Sequence, residues 1–130
     1  MRFACTALIA ATLVSACASA QDPALPAIAD NEPDVTAQVH ALLVRTMQGQ
    51  LQAEPLSENA RAALTPERST QIAERLRRCT VTGKLDLLRR GTKGEERQYL
   101  YRLPCGAAPL LVEINFGKGA RISYLDVRPQ

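Results

Sequence analysis

The chain has no tryptophan, one histidine, two phenylalanines and three tyrosines among its 130 residues. With so few aromatics the core must be aliphatic, drawn from Leu, Ile, Val and Ala, and there is no run of aromatics on which nucleic-acid bases would stack. There is no Cys-x-x-Cys, and one histidine does not complete a zinc site, so neither a dithiol redox role nor a zinc site is expected. Neither Gly-x-Ser-x-Gly nor Ser-x-x-Lys occurs, which removes the common hydrolase nucleophile motifs. The Gly117-x-Gly119 pair precedes a strand and sits in a hairpin, the wrong context for a phosphate-binding loop. Beyond the N-terminal segment no apolar run approaches the roughly 18 residues that a membrane helix needs.

What is present begins at the first residue. Met1-Arg2 is a short positive end, Phe3 to Val14 is an apolar run, and Ala18-Ser19-Ala20 supplies small side chains just before Gln21-Asp22-Pro23. That is the layout of a secretory signal peptide over residues 1–20. Val14-Ser15-Ala16-Cys17 offers a competing reading as a bacterial lipobox, with cleavage before Cys17 and lipidation of its thiol. Cleavage after Ala20 is the expectation, because Ala-x-Ala is the better site and valine is a second choice at the first lipobox position. An uncleaved anchor is the remaining reading. The expected location is therefore periplasmic or secreted, with a membrane involved only if Cys17 is lipidated.

Cys5 leaves with the signal, and Cys17 leaves or becomes lipidated. Cys79 and Cys105 are then the only thiols of the folded part, and in an oxidising compartment they most simply pair. The bond would close a loop of about 27 residues, worth ~3.5 kcal/mol by the chain-entropy argument.

Charge is uneven. Residues 21–34 hold Asp22, Asp30, Glu32 and Asp34 with no lysine or arginine. Together with Pro23, Pro26 and Pro33, this composition predicts a flexible leader. Residues 75–102 carry Arg75, Arg77, Arg78, Lys84, Arg89, Arg90, Lys93, Arg97 and Arg102 against Asp86, Glu95 and Glu96. A basic surface can favour anionic partners, but these residues fall at turns and strand ends, so a solvated face is expected and no nucleic acid.

Residues 35–130 read as one domain. Val35, Val39, Leu42, Leu43 and Met47 recur at helical spacing after Pro33-Asp34, and Gly49 ends that helix. Ser57 caps a short second helix, and Thr65-Pro66-Glu67 opens a third whose buried face is Ile72, Ala73 and Leu76. After Gly83 the period becomes two. Leu85 to Leu88 predicts a strand, Gly91-Thr92-Lys93-Gly94 a turn, and Arg97 to Leu103 a second strand with Tyr99, Tyr101 and Leu103 on one side. Leu110, Val112, Ile114 and Phe116 alternate in a third, and Ile122 to Val127 form a fourth after a glycine hairpin. The fold class is α+β: two to three N-terminal helices packed on a curved antiparallel sheet of about four strands.

Candidate functional residues are few. His40 sits at the edge of the first helix's apolar stripe and reads as a boundary histidine. If the third strand turns its apolar side to the helices, Glu113 and Asn115 face away, with Arg102 and Asp86 as neighbours depending on register. Such residues are commonly cross-strand pairs on the wet side of a sheet.

Leu76-x-x-Cys79, Gly83, Leu85, Arg97-x-Tyr99-x-Tyr101-Arg102, Leu110-Leu111-Val112, Gly119-x-x-Ile122 and Leu125-x-x-Arg128-Pro129 together resemble small bacterial secreted domains of the nuclear transport factor two-like, or cystatin-like, fold. The resemblance covers roughly residues 35–129 and implies a curved sheet wrapped against helices, sometimes enclosing a cone-shaped pocket. The pocket Asp–His or Asp–Tyr pairs of the enzymatic members have no recognisable counterpart here. The expected function is accordingly a non-catalytic envelope module that binds a partner protein or small ligand through its sheet face, without a cofactor or metal. The alternative is a small enzyme using Tyr101, Arg102 and Glu113 inside the sheet's concavity.

Overall fold

The computed structural model describes residues 25–79, 83–106 and 108–130. The expectations for the signal peptide, its cleavage site and Cys17 lie outside the described residues. Three helices, α1 (Pro33–Met47), α2 (Glu58–Ala63) and α3 (Pro66–Arg77), precede four strands, β1 (Asp86–Lys93), β2 (Glu96–Leu103), β3 (Leu110–Phe116) and β4 (Ile122–Pro129). The strands form one antiparallel meander in the order β1-β2-β3-β4, with the helices packed on one face. The class is α+β.

Local chemistry sets the helix boundaries. Pro33 occupies the first turn of α1, where its missing N–H costs no helical bond. The Ser57 side chain accepts from Ala60 N at 3.1 Å to start α2, and that of Thr65 accepts from Arg68 N at 3.2 Å to start α3. After α1 the chain turns through Gly49 at a φ of 72°, a left-handed conformation that glycine adopts without a Cβ penalty.

The core lies between the helices and one sheet face. Val39 and Leu43 of α1 and Ile72 and Leu76 of α3 meet Tyr101, Leu103, Val112, Ile114 and Val127, none more than 1% exposed. Register explains why those sheet residues share a face: Tyr101 stands opposite Val112, Tyr99 opposite Ile114, and Ile114 opposite Leu125. Cys79, just past α3, is bonded to Cys105, just past β2, with the two Cα atoms 4.7 Å apart. This bond staples the end of the helical layer to the sheet.

Two expectations are corrected. β1 does not end at Leu88, because Gly91, Thr92 and Lys93 continue the ladder opposite Gln98, Arg97 and Glu96, and the turn falls at Gly94. The end of the leader is held rather than free. Ile28 N donates to Leu87 O at 2.8 Å, Arg102 Nη1 donates to Leu25 O at 3.0 Å, and Glu32 accepts the Tyr99 hydroxyl at 2.9 Å. Residues 25–32 thereby lie against β1 and β2.

Candidate functional site

The inner and outer faces of the sheet carry different chemistry, and period two decides which residues reach which face. Tyr101 projects inward and is 1% exposed. Its neighbour Arg102 projects outward and stands opposite Leu111, while Glu113 stands opposite Leu100 and Asp126 on that same outer side. The expected cluster of Tyr101, Arg102 and Glu113 is therefore not assembled. Consecutive strand residues cannot share a face, so Tyr101 is cut off from the other two.

Inside, the two tyrosines form a wall. Their rings stack with centroids 6.2 Å apart, and Phe116 meets Tyr99 edge-on at 5.9 Å. The Tyr99 hydroxyl donates to Glu32 Oε2, which also receives Arg90 Nε at 2.8 Å. Thr36 Oγ1 donates to Asp30 Oδ2 at 2.6 Å, so its lone pair is left to accept the Tyr101 hydroxyl at 3.1 Å. Burial pushes the hydroxyls of both tyrosines above the usual phenol range, and the bond to Glu32 adds to the effect at Tyr99. Both phenols are fixed donors that tie the leader and α1 to the sheet.

Outside, no helix among the described residues packs over the strands; α1 to α3 belong to the core on the other side. The face is nevertheless not merely wet. Leu88 and Leu100 are 6% and 3% exposed yet stand apart from the main core. Charged side chains form a lattice here. Arg102 Nη2 meets Asp86 Oδ2 at 3.4 Å. Arg128 Nη1 bridges Glu113 at 2.9 Å and Asp126 at 3.2 Å, and Arg68 reaches from α3 to Asp126 at 2.6 Å.

At the other end of the face Glu96 is held by three neutral donors: Ser123 Oγ at 2.7 Å, Asn115 Nδ2 at 3.1 Å and Gln98 Nε2 at 3.2 Å. Chiefly the Ser123 hydroxyl, then the Gln98 amide, keep its carboxyl below the usual range, so it stays ionised and has no proton to give at neutral pH. Asn115 Oδ1 is buried beside this group with no hydrogen-bond partner among the described residues. Tyr124, opposite Asn115, is 42% exposed on the same face.

Of the residues singled out by sequence, Arg102, Glu113, Asp86 and Asn115 do share this outer face. Arg68, Glu96, Asp126 and Arg128 were missed. For Asp126 and Arg128 the signal was present, because the alternation of Tyr124, Asp126 and Arg128 along β4 puts all three on one side. His40 borders a cleft of about 700 Å³ between the leader, α1 and the start of β1, whose carboxylates Asp30 and Asp86 are already engaged by Thr36 and Arg102. Among the described residues no group of three or more His, Cys, Asp or Glu is placed to hold a metal ion. No helix among them is long and apolar enough to cross a membrane. Comparison with protein families, curated proteins and solved structures finds no match to this chain.

Proposed function

We propose that this chain is a non-catalytic module of the cell envelope that binds a partner protein through the outer face of its sheet. The observation that carries the reading is the ion-pair lattice of Arg102–Asp86 and Glu113–Arg128–Asp126–Arg68, with buried Leu88 and Leu100, on the sheet face that no helix covers among the described residues, and with Tyr124 exposed at its end. Charges held in fixed positions suit recognition of a complementary surface, since alternating signs fix register and reject wrong partners. They suit proton transfer poorly, because the carboxylates are committed to arginines or to neutral donors.

The same proposal includes export by residues 1–20, cleavage after Ala20 with lipidation of Cys17 as the alternative, and kinship with the nuclear transport factor two-like fold. The Cys79–Cys105 bond supports an oxidising compartment. A photo-reactive residue placed at Tyr124 or Arg89, in protein expressed in envelope-competent cells, should crosslink a discrete partner. The same residue at Arg61 or Glu67 on the helices should not. Charge reversal at Arg128 should abolish the outer-face crosslink. Equal crosslinking from both sides refutes the reading.

A further inference from the structure

A second recess lies on the opposite side of the sheet from the proposed partner face. It is a recess of about 240 Å³ between α1, Pro55 and the β3–β4 hairpin, faced by Leu42, Phe116 and Ile122, with the fully buried Val39 and Ile114 beneath them. At ~30 Å³ per atom, the share that a water takes in the liquid, it has room for about eight non-hydrogen atoms. A six-carbon chain with a small head fills that space.

One charged residue lines it, Arg45. Arg45 is exposed and has no ion-pair partner among the described residues, in contrast to Arg68, Arg90, Arg102 and Arg128. It sits in the last turn of α1, where free carbonyls would repel an anion. Those carbonyls are already satisfied: Gln48, Gly49 and Gln50 donate to Val44 O, Thr46 O and Arg45 O at 3.1, 3.0 and 2.8 Å.

The far rim is shaped by a strained residue. Ala120 holds a φ of 55°, a left-handed conformation costly for a side chain with a Cβ, and its N–H is fixed to Gly117 O at 3.1 Å. Glycine would serve that turn at lower cost, whereas alanine adds a methyl group to the pocket wall.

We propose that this pocket is a binding site for a small free carboxylate with an apolar body of about six carbons. The chain would lie against Leu42, Phe116 and Ile122, and the head would pair with Arg45. The apolar floor supplies the attraction for the body, and the single positive charge at the mouth chooses the sign of the head.

The test is an NMR titration of the oxidised protein with hexanoate, hexan-1-ol and hexylammonium. Hexanoate should shift the amides of Val39, Leu42, Ile114 and Ile122. It should bind about tenfold more tightly than hexanol, the scale of one charge-assisted hydrogen bond. Arg45→Gln should erase that preference while leaving hexanol binding and the melting temperature unchanged, which separates recognition from folding. Several results would overturn the proposal: no shift of those amides, hexanoate affinity untouched by Arg45→Gln, or hexylammonium binding as well as hexanoate. Tighter binding of N-acetyl-leucine than of hexanoate would assign the pocket to a peptide C-terminus instead. Concentration-dependent broadening of the same amides without ligand would assign it to a second copy of the chain.

Discussion

Glu32 is the knot between the leader and the sheet, and its removal should be felt chiefly through Tyr99. The carboxylate accepts from the Tyr99 hydroxyl at 2.9 Å and from Arg90 Nε at 2.8 Å, with Arg97 Nη1 farther off at 3.9 Å. Glu32 occupies the N-cap position of α1 but makes no side-chain capping bond, so Glu32→Ala forfeits no cap. The arginines are more than a third exposed, at 44% and 41% of their side chains, and their screened attraction is worth only a few tenths of a kcal/mol. The larger cost comes from Tyr99, 2% exposed, whose hydroxyl loses its acceptor; an orphaned buried donor costs about 1–3 kcal/mol.

Glu32→Ala should therefore destabilise by about 1–2.5 kcal/mol, and Tyr99→Phe by about 1 kcal/mol. The double variant should lose little more than Glu32→Ala alone, because once the hydroxyl is gone nothing remains to be orphaned. Urea denaturation of the four proteins gives the coupling, expected near 1 kcal/mol. Additive losses, within about 0.3 kcal/mol, would show that the hydroxyl does not depend on Glu32, and the account of how the leader is held would fail.

Ile114, fully buried, should cost roughly 2–5 kcal/mol as Ile114→Ala, whereas Glu113→Ala should cost under about 0.5 kcal/mol, since Arg128 keeps Asp126 as a partner; equal losses by chemical denaturation would mean that the sheet faces have been assigned the wrong way round. Thiol labelling of denatured, unreduced protein should find neither Cys79 nor Cys105 free, and reduction should remove ~3.5 kcal/mol of stability. Stability should fall at alkaline pH. Tyr99 and Tyr101 hold their protons more firmly when folded, so their contribution is complete below about pH 10, where the unfolded phenols ionise, and is lost as pH rises through the folded values. Tyrosinate absorbance should lag in the folded protein, and Tyr99→Phe should flatten the alkaline decline.

How far the sequence could be read depended on the range of the interaction. The caps at Ser57 and Thr65 act over three residues and were legible, as was the alternation of Leu110, Val112, Ile114 and Phe116. The extent of β1 was not. Gly91-Thr92-Lys93-Gly94 has the composition of a turn, but a well-formed β2 opposite supplies hydrogen bonds that carry three of those residues into the ladder. Similarly, the leader's composition argues for freedom, and what overrides it is a bond between residues 67 positions apart, Tyr99 to Glu32. The grouping of Tyr101 with Arg102 and Glu113 erred for a reason available in advance, since adjacent strand residues point to opposite faces.

The arginines explain how so small and aliphatic a core is held in place. Arg75 donates to Val127 O at 2.6 Å, Arg77 to Met47 O at 3.0 Å and Arg102 to Leu25 O at 3.0 Å. Each joins two elements by capping a backbone carbonyl, which a lysine's point charge does less well than a planar fork of donors. Most of the basic stretch is exposed, as expected of a solvated face, but Arg75, Arg77 and Arg102 within it act as ties at the periphery of the core, alongside the disulfide. Such ties place specificity at the edges of the molecule and leave two surfaces unspent: the outer sheet lattice and the recess beneath Arg45. Arg45, like Arg61, Arg78, Arg89 and Arg121, lies outside this pattern, and what sets it apart from those four is its place on the rim of the recess. It belongs to the same helix that Arg77 ties down, yet it caps no carbonyl and meets no carboxylate among the described residues. If its purpose were structural, Arg45→Gln would lower the melting temperature as Arg77→Gln should. A stability loss at Arg77 with none at Arg45 is the result consistent with a guanidinium kept for a ligand.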